Sequence, residues 1–389
     1  MMMTNHSANA HWDIFCTVVD NYGDIGVTWR LAKQLADEYQ LAINLWVDDL
    51  NSFQFILPQL DINQLQQCHQ GVNIIKWDKP LSTPWVPGAV LIEAFACELP
   101  NEIMAATANI KPFPQWVNLE YLSAEAWIDD CHGLQSPVKN GVKKHFFFPG
   151  FSKKSGGLIC EHSLFEQRQQ WQSEPCNRQA YFDSLGINDI GRDDVVVSLF
   201  SYESNAIKAL CQQLAEGTTL TNLLVPKGRA LSSVAAGLGI ELPQFEQTQQ
   251  VIRGNLQVHL LPMQNQEQYD RLLWSCDFNI VRGEDSFLRA QWAARPFIWH
   301  IYQQEEDAHI EKLGAFMQRY CQQLSPALAN AWQALNLAFN QADAEAFSQA
   351  WQTLIVDWPQ LTQHAKVWPK YAINDADLAN RLVQMLKNG

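Results

Sequence analysis

The strongest constraint on this chain is its opening, where the apolar run Ile14-Phe15-Cys16-Thr17-Val18-Val19 meets the turn Asp20-Asn21-Tyr22-Gly23-Asp24-Ile25-Gly26. The run predicts a buried strand over 14–19. Residues 27–39, with Trp29, Leu31, Leu35 and Ala36, predict a helix. Strand, glycine turn and helix make the first half of a parallel β-α-β unit. Sheets built this way bind ligands beyond the carboxyl ends of their strands, where this turn falls. Two carboxylates and two glycines within seven residues suit close contact with a ligand, because glycine lets it approach the backbone. A helix N-cap would account for Asp24 but leaves Asp20 unexplained.

The same alternation continues. Further strands are predicted over 41–47, ending in Asp48-Asp49, and over 72–77, 89–95, 115–119 and 143–148. The stretch 149–158 holds Gly150, Gly156 and Gly157 with Lys153-Lys154, a loop composition expected at a domain edge. After helices over 161–171 and 178–185 the alternation restarts. Strands are predicted at 194–200, 220–225, 256–261, 278–281 and 297–300, with helices at 204–215, 229–238, 266–274 and 285–293. From 303 to 387 the chain reads as helical, broken by Pro326, Pro359 and Pro369. With 389 residues, two such runs imply two domains, 1–175 and 176–369. Each is expected to be α/β, a Rossmann-like doubly wound sheet, the pair facing each other across a cleft. A C-terminal helix at about 370–389 is expected to brace the first domain. This is the general layout of GT-B glycosyltransferases, and layout alone names no reaction.

Apolar residues make up 47% of the chain, enough for large cores and against wholesale disorder. The formal charge of −14 opposes binding along a phosphate backbone, so no direct nucleic-acid partner is expected. A local basic pocket for a nucleotide stays open. The acidic balance also suits a partner with a cationic group, as it suits plain solubility. Nine cysteines, at 16, 68, 97, 131, 160, 176, 211, 276 and 321, form no CxxC pair and accompany no histidine cluster. Their scatter and odd number indicate a reducing compartment. Met1 to Ala10 is polar, without the apolar core of a signal peptide, and no apolar run is long enough to span a bilayer. The expectation is a cytoplasmic protein with no membrane partner.

A second dense stretch, Asp277-Phe278-Asn279-Ile280-Val281-Arg282-Gly283-Glu284-Asp285-Ser286-Phe287, repeats the order strand, glycine turn, acids, helix. A helix starting near Asp285 or Ser286 offers backbone N–H groups and a positive dipole end, a seat for a diphosphate. Arg282 adds a permanent charge, Ser286 a hydroxyl, and Glu284 can accept from ribose hydroxyls. A capped helix is the plainer alternative, but these three residues together exceed what a cap needs. In Ser198-Leu199-Phe200-Ser201-Tyr202-Glu203, Phe200 and Tyr202 share a face if the strand runs that far. One ring could stack on a nucleobase, or both could belong to the core. Gln266 opens a helix and could read a pyrimidine edge. The pairs Asp48-Asp49, Asp129-Asp130 and Asp193-Asp194 form no D-x-D motif and read as solvated surface, so no metal site is inferred. His259, on an apolar strand, reads as a satisfied core histidine.

The opening from Ile14-Phe15-Cys16 through the acidic turn to Trp29-Arg30-Leu31-Ala32 resembles that of the protein-arginine rhamnosyltransferases called EarP. So do Asn118 to Glu125, Phe146-Phe147-Phe148-Pro149-Gly150-Phe151, and Phe278 to Trp292, and the likeness runs through most of the chain. The resemblance implies a GT-B fold and an inverting, metal-independent glycosyltransferase. Its donor would be dTDP-β-L-rhamnose, and its acceptor one arginine guanidinium of translation elongation factor P, activated for the rescue of stalled ribosomes. No cofactor is implied beyond the donor substrate. The resemblance places the family's first-turn acids on Asp20 and Asp24 and its donor-side acid on Glu284, with Asp285 and Ser286 at the diphosphate. Its aromatics at the base fall on Phe200 and Tyr202 and its glutamine on Gln266. The expected catalytic residues are therefore Asp20, Asp24 and Glu284. Arg282 and Gly283 from the second turn, and Asn21, Tyr22 and Gly23 from the first, join the donor-binding set. Tyr22 stands where the family usually has phenylalanine. Two other readings stay open: a GT-B transferase for another nucleotide-sugar and a small acceptor, and a non-catalytic protein that binds elongation factor P.

Overall fold

In a computed structural model, which describes residues 10–20, 22–107, 112–137, 141–242 and 244–388, strand β1 (Trp12–Cys16) is buried along its whole length. Such a continuous apolar run suits a central parallel strand covered on both faces. Its one acid, Asp13, accepts from Asn44 Nδ2 at 3.0 Å, Trp46 Nε1 at 2.9 Å and Trp85 Nε1 at 3.0 Å, which satisfies the buried carboxylate. Phe15 stacks on Trp46 with centroids 5.1 Å apart, and fully burying such a ring contributes about 1.5–3 kcal/mol. The strand expected to reach Val19 ends at Cys16. The amides that would extend it are taken by carboxylates: Val18 N donates to Asp48 at 2.9 Å and Val19 N to Asp24 at 2.8 Å.

The chain divides into two compact units, Met1–His162 with Ile373–Gly389, and Ser163–Ala372. In the first, β1 is followed by α1 (Gly23–Glu38), β2 (Ile43–Val47), α2 (Leu50–Ile56), β3 (Gln66–His69), β4 (Val72–Lys76), β5 (Val90–Ala94), α3 (Asn101–Thr107), β6 (Gln115–Leu119), α4 (Ile128–Cys131), β7 (Gln135–Pro137) and β8 (Lys143–Phe147). The sheet order is β3-β4-β2-β1-β5-β6-β8-β7. The second unit carries α5 (Leu164–Ser173), α6 (Pro175–Ser184), β9 (Val195–Leu199), α7 (Asn205–Glu216), β10 (Thr221–Pro226), α8 (Ala230–Leu238), β11 (Gln249–Arg253), β12 (Leu256–Leu261), α9 (Gln266–Ser275), β13 (Phe278–Arg282), α10 (Asp285–Trp292) and β14 (Phe297–His300). Helices α11 (Ala308–Tyr320), α12 (Pro326–Asn340), α13 (Ala344–Val356) and α14 (Trp358–Ala372) complete it. Its sheet order is β11-β12-β10-β9-β13-β14. The last helix, α15 (Leu378–Asn388), packs on the first unit, where Arg381 Nη1 donates to the carbonyls of Ser152 and Ser155 at 2.8 Å each.

Several expectations shift. Residues 163–175, placed with the first domain from sequence, group with the second unit. Phe165 packs edge-on to Trp292, and Trp171 Nε1 donates to Ser275 Oγ at 3.1 Å. Strands β3, β7 and β11 escape the sequence reading because each is a polar, largely exposed edge paired antiparallel to its neighbour. Pro369 does not break α14, which runs on to Ala372. Standing in the last turn, it removes a single helix bond while Trp368 beside it packs 4.9 Å from Tyr320. Asp48-Asp49 is no solvated pair: Asp48 holds the Val18 amide, and Asp49 caps α2 through the Asn51 and Ser52 amides. His259 is a core histidine, bonded to Asn222 Oδ1 at 2.8 Å. Burial pushes the Cys97 and Cys211 thiols up to about 12, so both behave as small apolar residues.

Candidate active site

Each sheet has one point where the chain turns from building outward on one side to building on the other. In the first unit that point lies between β1 and β5, in the second between β9 and β13. Loops at the carboxyl ends of these strands diverge, which opens a ligand crevice. The turn after β1 holds Asp20 and Asp24. The segments after β9 and β13 hold Phe200, Tyr202 and residues 283–286.

In the first unit Asp24 is buried, at 2% exposure. Its Oδ2 accepts from the Val19 and Asp20 amides at 2.8 and 2.9 Å, and its Oδ1 from the Tyr121 hydroxyl at 3.1 Å. It is therefore not the N-cap of α1, a position taken by Tyr22 without a side-chain cap bond. Asp24 folds the turn back on itself and sets the backbone that carries Asp20. Burial raises its carboxyl above the usual carboxylate range, opposed by those amide bonds. Asp20 is half-buried, and its carbonyl accepts from Gly23 N at 2.6 Å. A side chain on Gly23 would put a Cβ 2.9 Å from Asp20 Oδ2, so this glycine makes room for the carboxylate. The Tyr22 ring packs edge-on to Phe55 at 5.7 Å. Asn21 lies outside the described residues.

In the second unit Phe200 and Tyr202 come together, though not through strand periodicity, since β9 stops at Leu199. The Arg282 guanidinium lies 4.8 Å from each ring centroid and joins them by cation–π contact. Both rings are nearly buried, at 7% and 6% exposure, as the core alternative expected. Arg229 lies 5.3 Å from the Tyr202 ring and pairs with Glu203 at 2.8 Å. Burial, with help from Arg282 and Arg229, pushes His300 down to about 3 and keeps it neutral. Positive charge here therefore belongs to the two guanidinium groups, a local basic spot in an acidic chain. Arg229, His300 and Tyr302, 5.8 Å from Tyr202, were missed from sequence. The loop Lys227-Gly228-Arg229 after β10 was the signal that could have found the first.

Helix α10 begins after Glu284, which makes no side-chain cap bond. Gly283 turns the chain with φ of 60°, and its carbonyl accepts from Trp299 Nε1 at 2.7 Å. Glu284 and Asp285 are half-buried and Ser286 is buried. By contrast, α9, which Gln266 opens, is closed by a full capping box between Asn265 and Gln268. A bidentate pair, Arg289 Nε and Nη2 on Asp270 at 2.9 and 2.7 Å, ties α10 to α9. The first unit thus offers two acids on one turn. The second, by itself, offers a helix start without a side-chain cap three residues after Arg282, whose guanidinium lies against Phe200 and Tyr202. An acidic turn can hold a cationic nucleophile, and a helix N-terminus can hold a diphosphate.

Comparison with known proteins gives these features a family. The family model for the elongation-factor P (EF-P) rhamnosyltransferase EarP matches residues 12–387. A protein-arginine rhamnosyltransferase of Shewanella oneidensis is 54% identical over 99% of this chain and 100% of its own length. One of Pseudomonas putida is 46% identical over 97% of this chain and 99% of its own. A solved structure concerned with EarP-mediated arginine glycosylation of translation elongation factor EF-P is 34% identical, covers 98% of this chain and 100% of that one, and superposes with a TM-score of 0.69. Acinetobacter baumannii MurG, 11% identical, covers 98% of this chain and 100% of that one and superposes with a TM-score of 0.50, which shows the shared GT-B fold. Among the described residues no helix is long and apolar enough to cross a membrane. Two α/β units of the GT-B class, an acidic turn after β1 and a match along nearly the whole length place the chain in the EarP family of protein-arginine rhamnosyltransferases.

Proposed function

We propose that this enzyme moves L-rhamnose from dTDP-β-L-rhamnose to the guanidinium of one arginine in translation elongation factor P, with inversion and without a metal ion. The acceptor is supported by the family's description and by the solved structure on arginine glycosylation of that factor. The donor rests on the resemblance carried by the opening and second turns. The observation that carries the chemistry is the locked acidic turn, in which Asp24 Oδ2 accepts from the backbone amides of both Val19 and Asp20.

Arginine is a weak nucleophile, because its lone pairs are delocalised and its pKa lies above about 12. A carboxylate cannot strip its proton in the ground state. It can orient the guanidinium by charge-assisted hydrogen bonds and take the proton as the C–N bond forms. In this reading Asp20 takes that proton while Asp24 holds the turn. The guanidinium nitrogen attacks the anomeric carbon opposite the departing diphosphate, so one C–N bond forms as one C–O bond breaks and the centre inverts. The electron pair of the broken bond leaves on dTDP, stabilised by the backbone N–H groups that open α10 and by the nearby arginines. Glu284 orients the donor, and Phe200 and Tyr202 hold the thymine once Arg282 yields a ring face.

Rhamnose transfer is read as added deoxyhexose mass on elongation factor P, with dTDP binding followed by calorimetry. Asp20→Asn is expected to keep dTDP affinity and lose about 10²–10⁴ in rate, the usual weight of a general base. Glu284→Ala and Phe200→Ala are expected to lose dTDP affinity. Near-wild-type transfer by Asp20→Asn would remove that acid from the mechanism.

A further inference from the structure

We propose that Phe95 and Tyr121 form an aromatic shelf that receives the guanidinium of the acceptor arginine beside Asp20 and Asp24. The inference rests on the proposed function and extends it to a binding subsite. Phe95 directly follows β5, and Tyr121 stands two residues beyond β6, both at carboxyl ends next to the crevice strand pair β1 and β5. Their rings stack with centroids 4.4 Å apart and planes 14° from parallel. The Tyr121 hydroxyl bonds Asp24 Oδ1, while Asp24 Oδ2 holds the Val19 and Asp20 amides. One carboxylate thus fixes both the ring and the backbone of the acidic turn.

The backbone supports a functional reading. Phe95 and Ala96 both sit at positive φ, 57° and 52°, a conformation that a bulky side chain rarely adopts. The Phe95 amide is held there by Leu119 O at 2.7 Å. Strain of this kind persists where surroundings impose it, and it gathers at binding sites. Exposure supports it too. Tyr121 keeps 41% of its surface although Phe95 covers one ring face, whereas the Phe15–Trp46 stack is wholly interior. A partly exposed tyrosine ring bonded to one acid of the turn suits a flat cation. A guanidinium can stack on an aromatic face while its N–H groups bond a carboxylate, and an ammonium offers no plane to stack. The shelf therefore favours arginine over lysine.

The test uses the full chain and elongation factor P, measuring acceptor binding, transfer rate, dTDP binding and the urea midpoint. Phe95→Leu and Tyr121→Leu are expected to weaken acceptor binding about 5- to 25-fold and to leave dTDP binding unchanged. Tyr121→Phe keeps the ring and is expected to keep acceptor affinity while lowering the transfer rate, because the tie to Asp24 is gone. Acceptor binding at wild-type strength in both leucine variants would overturn the shelf. So would equal losses of acceptor affinity in Tyr121→Leu and Tyr121→Phe, which would assign the effect to the hydroxyl. Wild-type protein that binds the factor but adds no sugar would refute the proposed function and leave the shelf decided by the binding data. Wild-type protein that binds no factor would overturn both.

Discussion

Replacing Gly23 by alanine should separate stability from activity. Gly23 opens α1 in a helical position, where alanine is better than glycine by about 0.5–1 kcal/mol. The new methyl would stand 2.9 Å from Asp20 Oδ2, 3.5 Å from its Cγ and 3.6 Å from its Cβ. Unstrained contacts of this kind begin at about 3.5 Å, so the carboxylate must retreat by roughly 0.5 Å. That retreat is cheap for the fold, because only the end of a half-buried side chain moves. It is costly for chemistry, since misplacing a reacting group by about 1 Å can lose about 10²-fold in rate. Half that shift predicts a loss of about 10-fold in the rate of rhamnose transfer. The urea midpoint should hold or rise, and dTDP affinity should not change. Initial rates by mass spectrometry, calorimetry with dTDP and urea titration together make the test. An alanine variant that transfers at the wild-type rate would show that Asp20 does not act from where the structure puts it.

Other consequences follow from the same geometry. Because burial raises the Asp24 carboxyl, transfer that needs it ionised should fail on the acid side at a pH above the ordinary carboxylate value of about 3.9. The linked stability runs the other way. The folded chain binds this proton more tightly than the unfolded chain, so the contribution of Asp24 declines as pH rises through its folded value and the penalty is complete above it. Urea titrations of wild type and Asp24→Asn across that window should show the wild type gaining on the variant as pH falls. Arg289→Met should cost about 3–5 kcal/mol by removing the bidentate partner of the buried Asp270 carboxylate, and should weaken dTDP binding by loosening α10 from α9. Adding Asp270→Leu should recover much of the lost stability.

The local parts of this protein were legible because they repeat local rules. Apolar runs bounded by glycine announced the parallel strands, and the acids of both turns stood out by their density. The polar edge strands β3, β7 and β11 carried no such signal, because an exposed strand needs no apolar period. Strand length misled at Val19, where two side-chain carboxylates captured the amides that a longer strand would use. The turns were found in sequence, but the work of each residue within them was not. Asp24, open to reading as a cap or as an acid of the site, clamps the turn, and Arg282, read as a permanent charge for a diphosphate, lies against both aromatic rings.

By itself the sequence determined two β/α runs, the acidic turn after the first strand, the helix start at Asp285 and a family likeness through most of the chain. Tertiary structure alone decided that Tyr121 reaches Asp24 across 97 positions and that Asp13 is shared by Trp46 and Trp85. The reason is physical. Periodicity records which way a residue faces along its own element, whereas strand order and register choose which distant side chain it meets.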